Sequence, residues 1–170
     1  MPPIDPPREV LAARRGVLEA EISRLADLIG ATGYDVVGFN PHIDAACPYI
    51  EIGDDGQLHW IVKERGQLFE HRTTRDPDEL LYWSFETTTS SLARYWEARH
   101  RDESQDFRVG LWAKQAELLH RLNPAWARRW RRELAARQPW DVALMPQLPP
   151  DPADRSPGRP SSARAPNQPP

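Results

Sequence analysis

The sequence predicts an α+β protein: an N-terminal helix, a three-stranded antiparallel meander, then three C-terminal helices packed on the sheet, and a disordered proline-rich tail. Three observations carry this. Apolar residues from Val10 to Ile29 recur near every 3.6 positions, the period falls to two between Pro48 and Thr74, and helical spacing returns after Asp76-Pro77.

In the first helix the stripe is Val10, Leu11, Val17, Leu18, Ile22, Leu25, Leu28 and Ile29, with Gly30 placed to end it. ATGYDVVGFNPHIDAAC, with its glycines and Asn40-Pro41, then reads as a long irregular connection. PYIEIG, QLHWIVKE and QLFEHRTT are short, rich in aromatic and β-branched residues, and separated by GDDG and Arg65-Gly66, which are turn sequences. Alternation puts Tyr49, Glu51 and Gly53 on one side and Ile50 and Ile52 on the other, so one face of the sheet is available to helices.

Asp76-Pro77-Asp78-Glu79 combines a capping aspartate, proline at the first helical position and a glutamate placed to complete a capping box. The positive end of the helix dipole is sufficient to explain all three carboxylates. In this second helix Leu81, Phe85, Thr88, Leu92 and Trp96 share a stripe, flanked by Leu80, Trp83 and Tyr95. TTTSS at 87–91 is poor helix material, so packing must hold it. A third helix is expected from about Glu103 to Leu122, its stripe formed by Phe107, Leu111, Leu118 and Leu122 with Trp112 and Leu119 alongside. Asn123-Pro124 starts a fourth, through Arg137, carrying Arg128, Arg129, Arg131, Arg132 and Arg137.

The folded domain is expected over 8–140, between a flexible 1–7 and a tail over 141–170. After Leu148 the tail has almost no aliphatic side chains, so it cannot bury enough apolar surface to offset its ordering entropy. No apolar run approaches bilayer length, and MPPIDPPREV lacks the order of a signal peptide, which predicts a cytoplasmic protein with no membrane partner.

Charge is divided along the chain. Residues 1–90 hold eight Lys and Arg against sixteen Asp and Glu, whereas 91–140 hold eleven against six. The halves either pair internally or steer a charged partner to one face.

Chemistry is sparse. His42, His59, His71, His100 and His120 show no recognised metal spacing, and Cys47 is the only cysteine, so no metal and no cofactor is expected. GxSxG, SxxK and phosphate-binding glycine loops are absent. Cys47, beside Pro48, reads as a small buried packing residue. Glu51 with Asp54 or Asp55, and Asp102 with Asp106, are possible acid/base pairs that hairpin turns and helix caps explain at lower cost. The protein is therefore not expected to be an enzyme. RRWRRELAAR, with Trp126 and Trp130, suggests an alternative: a regulator binding nucleic acid through helix 124–137, arginines on phosphate and an indole on a base. Against it, the domain is acidic and no binding-module signature accompanies the helix.

PYIEI, HWIVKERG, HRTT, DELLYWSF, SQDFR and KQAELLHRLNPAWARR, in that order, resemble the immunity protein 63 family of bacterial polymorphic toxin systems. The similarity runs from about Val10 to Ala136 and is most specific at Glu64 to Gly66, Asp78 to Trp83 and Gln105 to Arg108. It implies a non-catalytic α+β protein that neutralises a cognate bacterial toxin by direct stoichiometric binding in the producer's cytoplasm. The acidic first half suits a basic toxin such as a nuclease. The candidate toxin-binding residues are Glu51, Asp54, Asp55, Trp60, Glu64, Arg65, Arg72, Asp78 and Glu79, while Arg72 and Arg108 are equally suited to act as internal clamps on carboxylates.

Overall fold

The computed structural model describes residues 6–39, 45–137 and 143–151. Expectations about the first five residues, Asn40-Pro41, His42 and tail residues 152–170 lie outside the described residues. The expected α+β architecture is present: helix α1 (Arg8–Ile29), strands β1 (Ala45–Ile52), β2 (Leu58–Glu64) and β3 (Gln67–Thr74), then helices α2 (Pro77–His100), α3 (Phe107–Leu122) and α4 (Pro124–Arg137).

α1 buries Leu18, Ile22, Leu25, Ala26 and Ile29 and ends at Gly30, whose left-handed φ of 70° favours glycine. Val10, Val17 and Leu28 are exposed, although the period puts them on the apolar stripe. In its first half the helix reaches the sheet through Arg14, which donates to the Gly56 carbonyl at 2.6 Å and the Arg75 carbonyl at 3.0 Å.

The sheet has the order β1-β2-β3 with antiparallel neighbours. Ile50 stands opposite Trp60, and Ile52 opposite Leu58. Ile50, Leu58 and Trp60 join the main apolar core, against which α2 packs. Tyr49 and Ile61, on the other face, are also buried, so the sheet is less one-sided than alternation predicts. Cys47 is exposed, correcting its expected burial. Glu64 pairs with Gln67 across a two-residue turn in which Arg65 (φ 51°) and Gly66 (φ 75°) are both left-handed.

Asp76 caps α2 by accepting from the Asp78 N–H at 3.0 Å, with Pro77 at the first position. The expected capping box is not formed. Glu79 turns away to Arg129, and the Asp76 N–H donates instead to Thr74 Oγ1 at 3.0 Å. Ser84, Thr88 and Thr89 of α2 are buried, and each hydroxyl finds its acceptor in a backbone carbonyl one turn back. Ser84 donates to the Leu80 carbonyl, Thr88 to that of Ser84 and Thr89 to that of Phe85. Small hydroxyl residues satisfied in this way let neighbouring elements approach a central helix.

α3 begins at Phe107, four residues later than expected, because Asp102 folds Ser104 into a turn and Asp106 takes the cap by accepting from the Arg108 N–H at 2.9 Å. The buried face is Val109, Trp112, Gln115, Ala116, Leu118 and Leu119. Phe107 is exposed, and Leu111 and Leu122 are only half-buried. Gln115 Nε2 donates to the Glu86 carbonyl at 3.0 Å, a polar contact that fixes α3 on α2 and rotates the stripe from its predicted position. In α4, Trp126, Ala127, Trp130 and Leu134 are buried. Leu148, on the segment expected to be tail, is also buried, and Leu144 and Met145 pack on the core.

Trp60 is 5% exposed, with the Arg72 guanidinium 4.8 Å from its ring centre. Trp60→Ala is expected to cost about 3–5 kcal/mol of stability through lost burial and the cavity left behind, measured by urea unfolding.

Candidate functional site

The candidate residues divide into two ends of the sheet and an interior. Asp54 and Asp55 lie in the β1–β2 turn, at the same end as the start of α2, and both are exposed. Asp55 Oδ1 accepts from the Gln57 N–H at 2.9 Å, while Oδ2 accepts from Arg75 at 3.0 Å. Glu51, two residues before the turn region and opposite His59, is exposed on the outer face. Asp78, in the first turn of α2, is exposed, and its Oδ2 accepts from the buried Trp126 indole at 3.3 Å.

Glu64 and Arg65 lie at the opposite end, in the β2–β3 turn, with 4.0 Å between them and the Arg65 side chain 90% exposed. The intervening β2 strand keeps them about 20 Å from Asp54 and Asp55. The nine residues therefore do not form one patch.

Trp60, Arg72 and Glu79 are supports. Arg72 donates to Glu70 at 2.6 Å while its guanidinium lies over Trp60 and 5.7 Å from the centre of Trp83. Glu79 is held by Arg129 through both carboxylate oxygens, one of them at 2.8 Å. Arg129 also donates to Glu133 at 2.8 Å and lies 3.9 Å from the centre of the Tyr82 ring, and the Tyr82 hydroxyl donates to Glu133 at 2.6 Å. This clamp joins α2 to α4. Arg108 makes a local fork on Asp106, through Nε at 2.9 Å and Nη2 at 2.8 Å.

These contacts set the local titration. Hydrogen bonds from Arg129 hold the Glu79 carboxyl below the usual range, with the Arg129 charge adding to the effect. The hydrogen bonds it donates to Glu79 raise the Arg129 guanidinium further. Burial, then the bond to Glu133, pushes the Tyr82 hydroxyl up. The Arg108 fork holds Asp106 down at about 2.

The expected acid/base pairs have other occupations. Asp55 closes the hairpin turn, Asp102 accepts from the Ser104 N–H and hydroxyl, and Asp106 caps α3. His59 Nδ1 and His71 Nε2 lie 2.8 Å apart, and His100 bonds the Trp96 carbonyl. Among the described residues, no group of three His, Cys, Asp or Glu side chains is placed to hold a metal ion. No described helix is long and apolar enough to cross a membrane.

For nucleic acid, helix α4 lacks the stacking surface the sequence suggested. Trp126 and Trp130 are 4% and 1% exposed, packed inward, and Arg129, Arg131 and Arg137 reach Glu79, the Pro149 carbonyl and Glu86. Two residues important to this architecture were not among the candidates: Arg75, which ties the hairpin turn to the start of α2, and Arg129. Each meets a carboxylate at least twenty positions away, a pairing with no local sequence signal.

The family model described as Immunity protein 63 matches residues 54–136, which run from the β1–β2 turn to the end of α4. No curated protein and no solved structure matches the chain.

The clamp has a pH signature. A carboxylate whose folded value is lowered stabilises the fold above its unfolded value, near 4.5 for Glu79, and that stability is lost as pH falls through the folded value. Glu79→Gln is expected to lower stability by about 1–2 kcal/mol at neutral pH. It should also reduce the loss between pH 6 and pH 3, as read by urea titrations of both proteins at the two pH values.

Proposed function

With the chain a member of the immunity protein 63 family by its match over 54–136, we propose that it neutralises a cognate polymorphic toxin by direct stoichiometric binding in the producer's cytoplasm. The observation that carries this reading is the family match itself, which covers most of the sheet and all three C-terminal helices. A protein inhibitor needs a rigid, correctly charged surface and no reaction centre of its own.

The proposed contact is the acidic end of the sheet: Glu51, Asp54 and Asp55, with Asp78 beside them. Glu51, Asp54 and Asp78 are exposed, and Asp55 is held in place by Arg75. Trp60 supports the sheet from inside, Arg72 covers it from the surface and Glu79 is held by Arg129, while Glu64 with Arg65 would extend the contact only to a partner that spans the sheet. A toxin with a basic face, as a nuclease has for its own substrate, fits this end. Long-range attraction would then speed encounter and compete with the toxin's nucleic acid for the same surface.

Co-expression with the toxin domain encoded beside it is expected to rescue growth, and the two chains should co-purify at one to one. Toxicity without rescue would sink the pairing. For the contact, reversing Glu51 and Asp54 together to Lys is expected to slow association by about tenfold at low salt, with the melting temperature little changed. Glu64→Lys, at the far end, should have a smaller effect in the same stopped-flow assay.

A further inference from the structure

β3 is an open edge. β2 occupies one side of it, and among the described residues no other backbone hydrogen bond reaches Gln67–Thr74. The opposite edge is partly closed, since the Ile50 N–H donates to the Gly38 carbonyl at 2.8 Å. Six of the eight residues of β3 are exposed, Leu68 at 56% and Phe69 at 62%; the strand contains neither proline nor lysine, and a bulge at Phe69 leaves 70–74 as its regular run. An edge of that length with apolar side chains is a template for another strand, and folded proteins usually cover or blunt it.

The charges on β3 decide which strand fits. Directly opposed residues of an antiparallel pair must share a face of the sheet. When β3 pairs with a second β3 centred on His71, Glu70 of each copy opposes Arg72 of the other, within the regular run 70–74 that follows the bulge at Phe69. Centring instead on Glu70 or on Arg72 sets like charges against each other. Glu70 and Arg72 are already paired within the chain, with side chains 43% and 41% exposed, so both can be reached from outside. One register is thus self-complementary, and those on either side of it are penalised.

We propose that the occupant of this edge is a second copy of the chain. β3 pairs antiparallel with its own counterpart about a two-fold axis at His71, joining two three-stranded sheets into one. This interface is separate from the acidic hairpin end and does not depend on the toxin reading. It leaves two acidic ends facing outward, so each dimer would offer two partner surfaces.

The test is sedimentation velocity of the full chain across about 1 to 100 µM, where a mass-action dimer should appear. Glu70→Arg and Arg72→Glu should each weaken the dimer by at least about tenfold. An equimolar mixture of the two variants should restore it, because one then presents two arginines where the other presents two glutamates. Loss of a contact within the chain cannot produce that rescue. If Arg72→Glu fails to fold, Phe69→Asp at its exposed position should also give monomer. A wild-type monomer throughout, a mixture of folded variants that stays monomeric, or a dimer that persists in Phe69→Asp would each overturn the proposal. So would a monomer whose toxin binding is lost in these variants, which would assign the edge to the toxin.

Discussion

The Arg129 clamp is the polar contact that ties α4 directly to α2, two helices that otherwise meet chiefly through α3. A guanidinium is planar and offers donors in a fixed fork, so it can hold Glu79 through two oxygens and Glu133 through a third while its face lies on Tyr82. No apolar contact fixes both the rotation and the separation of two helices so narrowly. The clamp draws the first turn of α2 against α4, and in doing so it brings Trp126 within reach of Asp78 and under Phe85 and Tyr82. Its partly exposed position keeps the desolvation cost of the three charges moderate.

The clamp and a second ion pair, Arg137 with Glu86, join the acidic and basic segments of the chain. Arg129 and Arg137 of the basic segment pair with Glu79 and Glu86 of the acidic one, so opposite sign in the sequence becomes proximity in the fold. The acids left at the sheet end are those with no long basic helix beside them. Glu51, Asp54 and Asp78 stay exposed, and Asp55 is matched by the single arginine at position 75. These cross-segment pairs use two of the sixteen acids of residues 1–90, and Glu51, Asp54 and Asp78 are among those left exposed.

Packing around α2 follows from the same economy. Ser84, Thr88 and Thr89 satisfy their hydroxyls on the preceding turn, which removes the penalty of burying them and leaves a helix surface narrow enough for α3, with Gln115 reaching the Glu86 carbonyl. A segment of weak helix formers is thereby sited at the centre of the molecule, where tertiary contact outweighs local preference.

The sequence by itself determined the elements and most of their ends. The change of period from 3.6 to 2 and back located α1, the meander and the later helices, and Gly30, Arg65-Gly66, Asp76-Pro77 and Asn123-Pro124 marked boundaries, because turns and caps are set by φ and by hydrogen bonds within a few residues. Only the tertiary structure decided which side of each element is buried and which charges are spent internally. Val17 and Phe107 sit on apolar stripes yet face solvent, Trp126 and Trp130 sit among arginines yet are buried, and Glu79 leaves a capping box for an arginine fifty residues away. Periodicity gives a helix an apolar face but not its neighbour, and an ion pair between distant residues leaves no mark on the sequence around either.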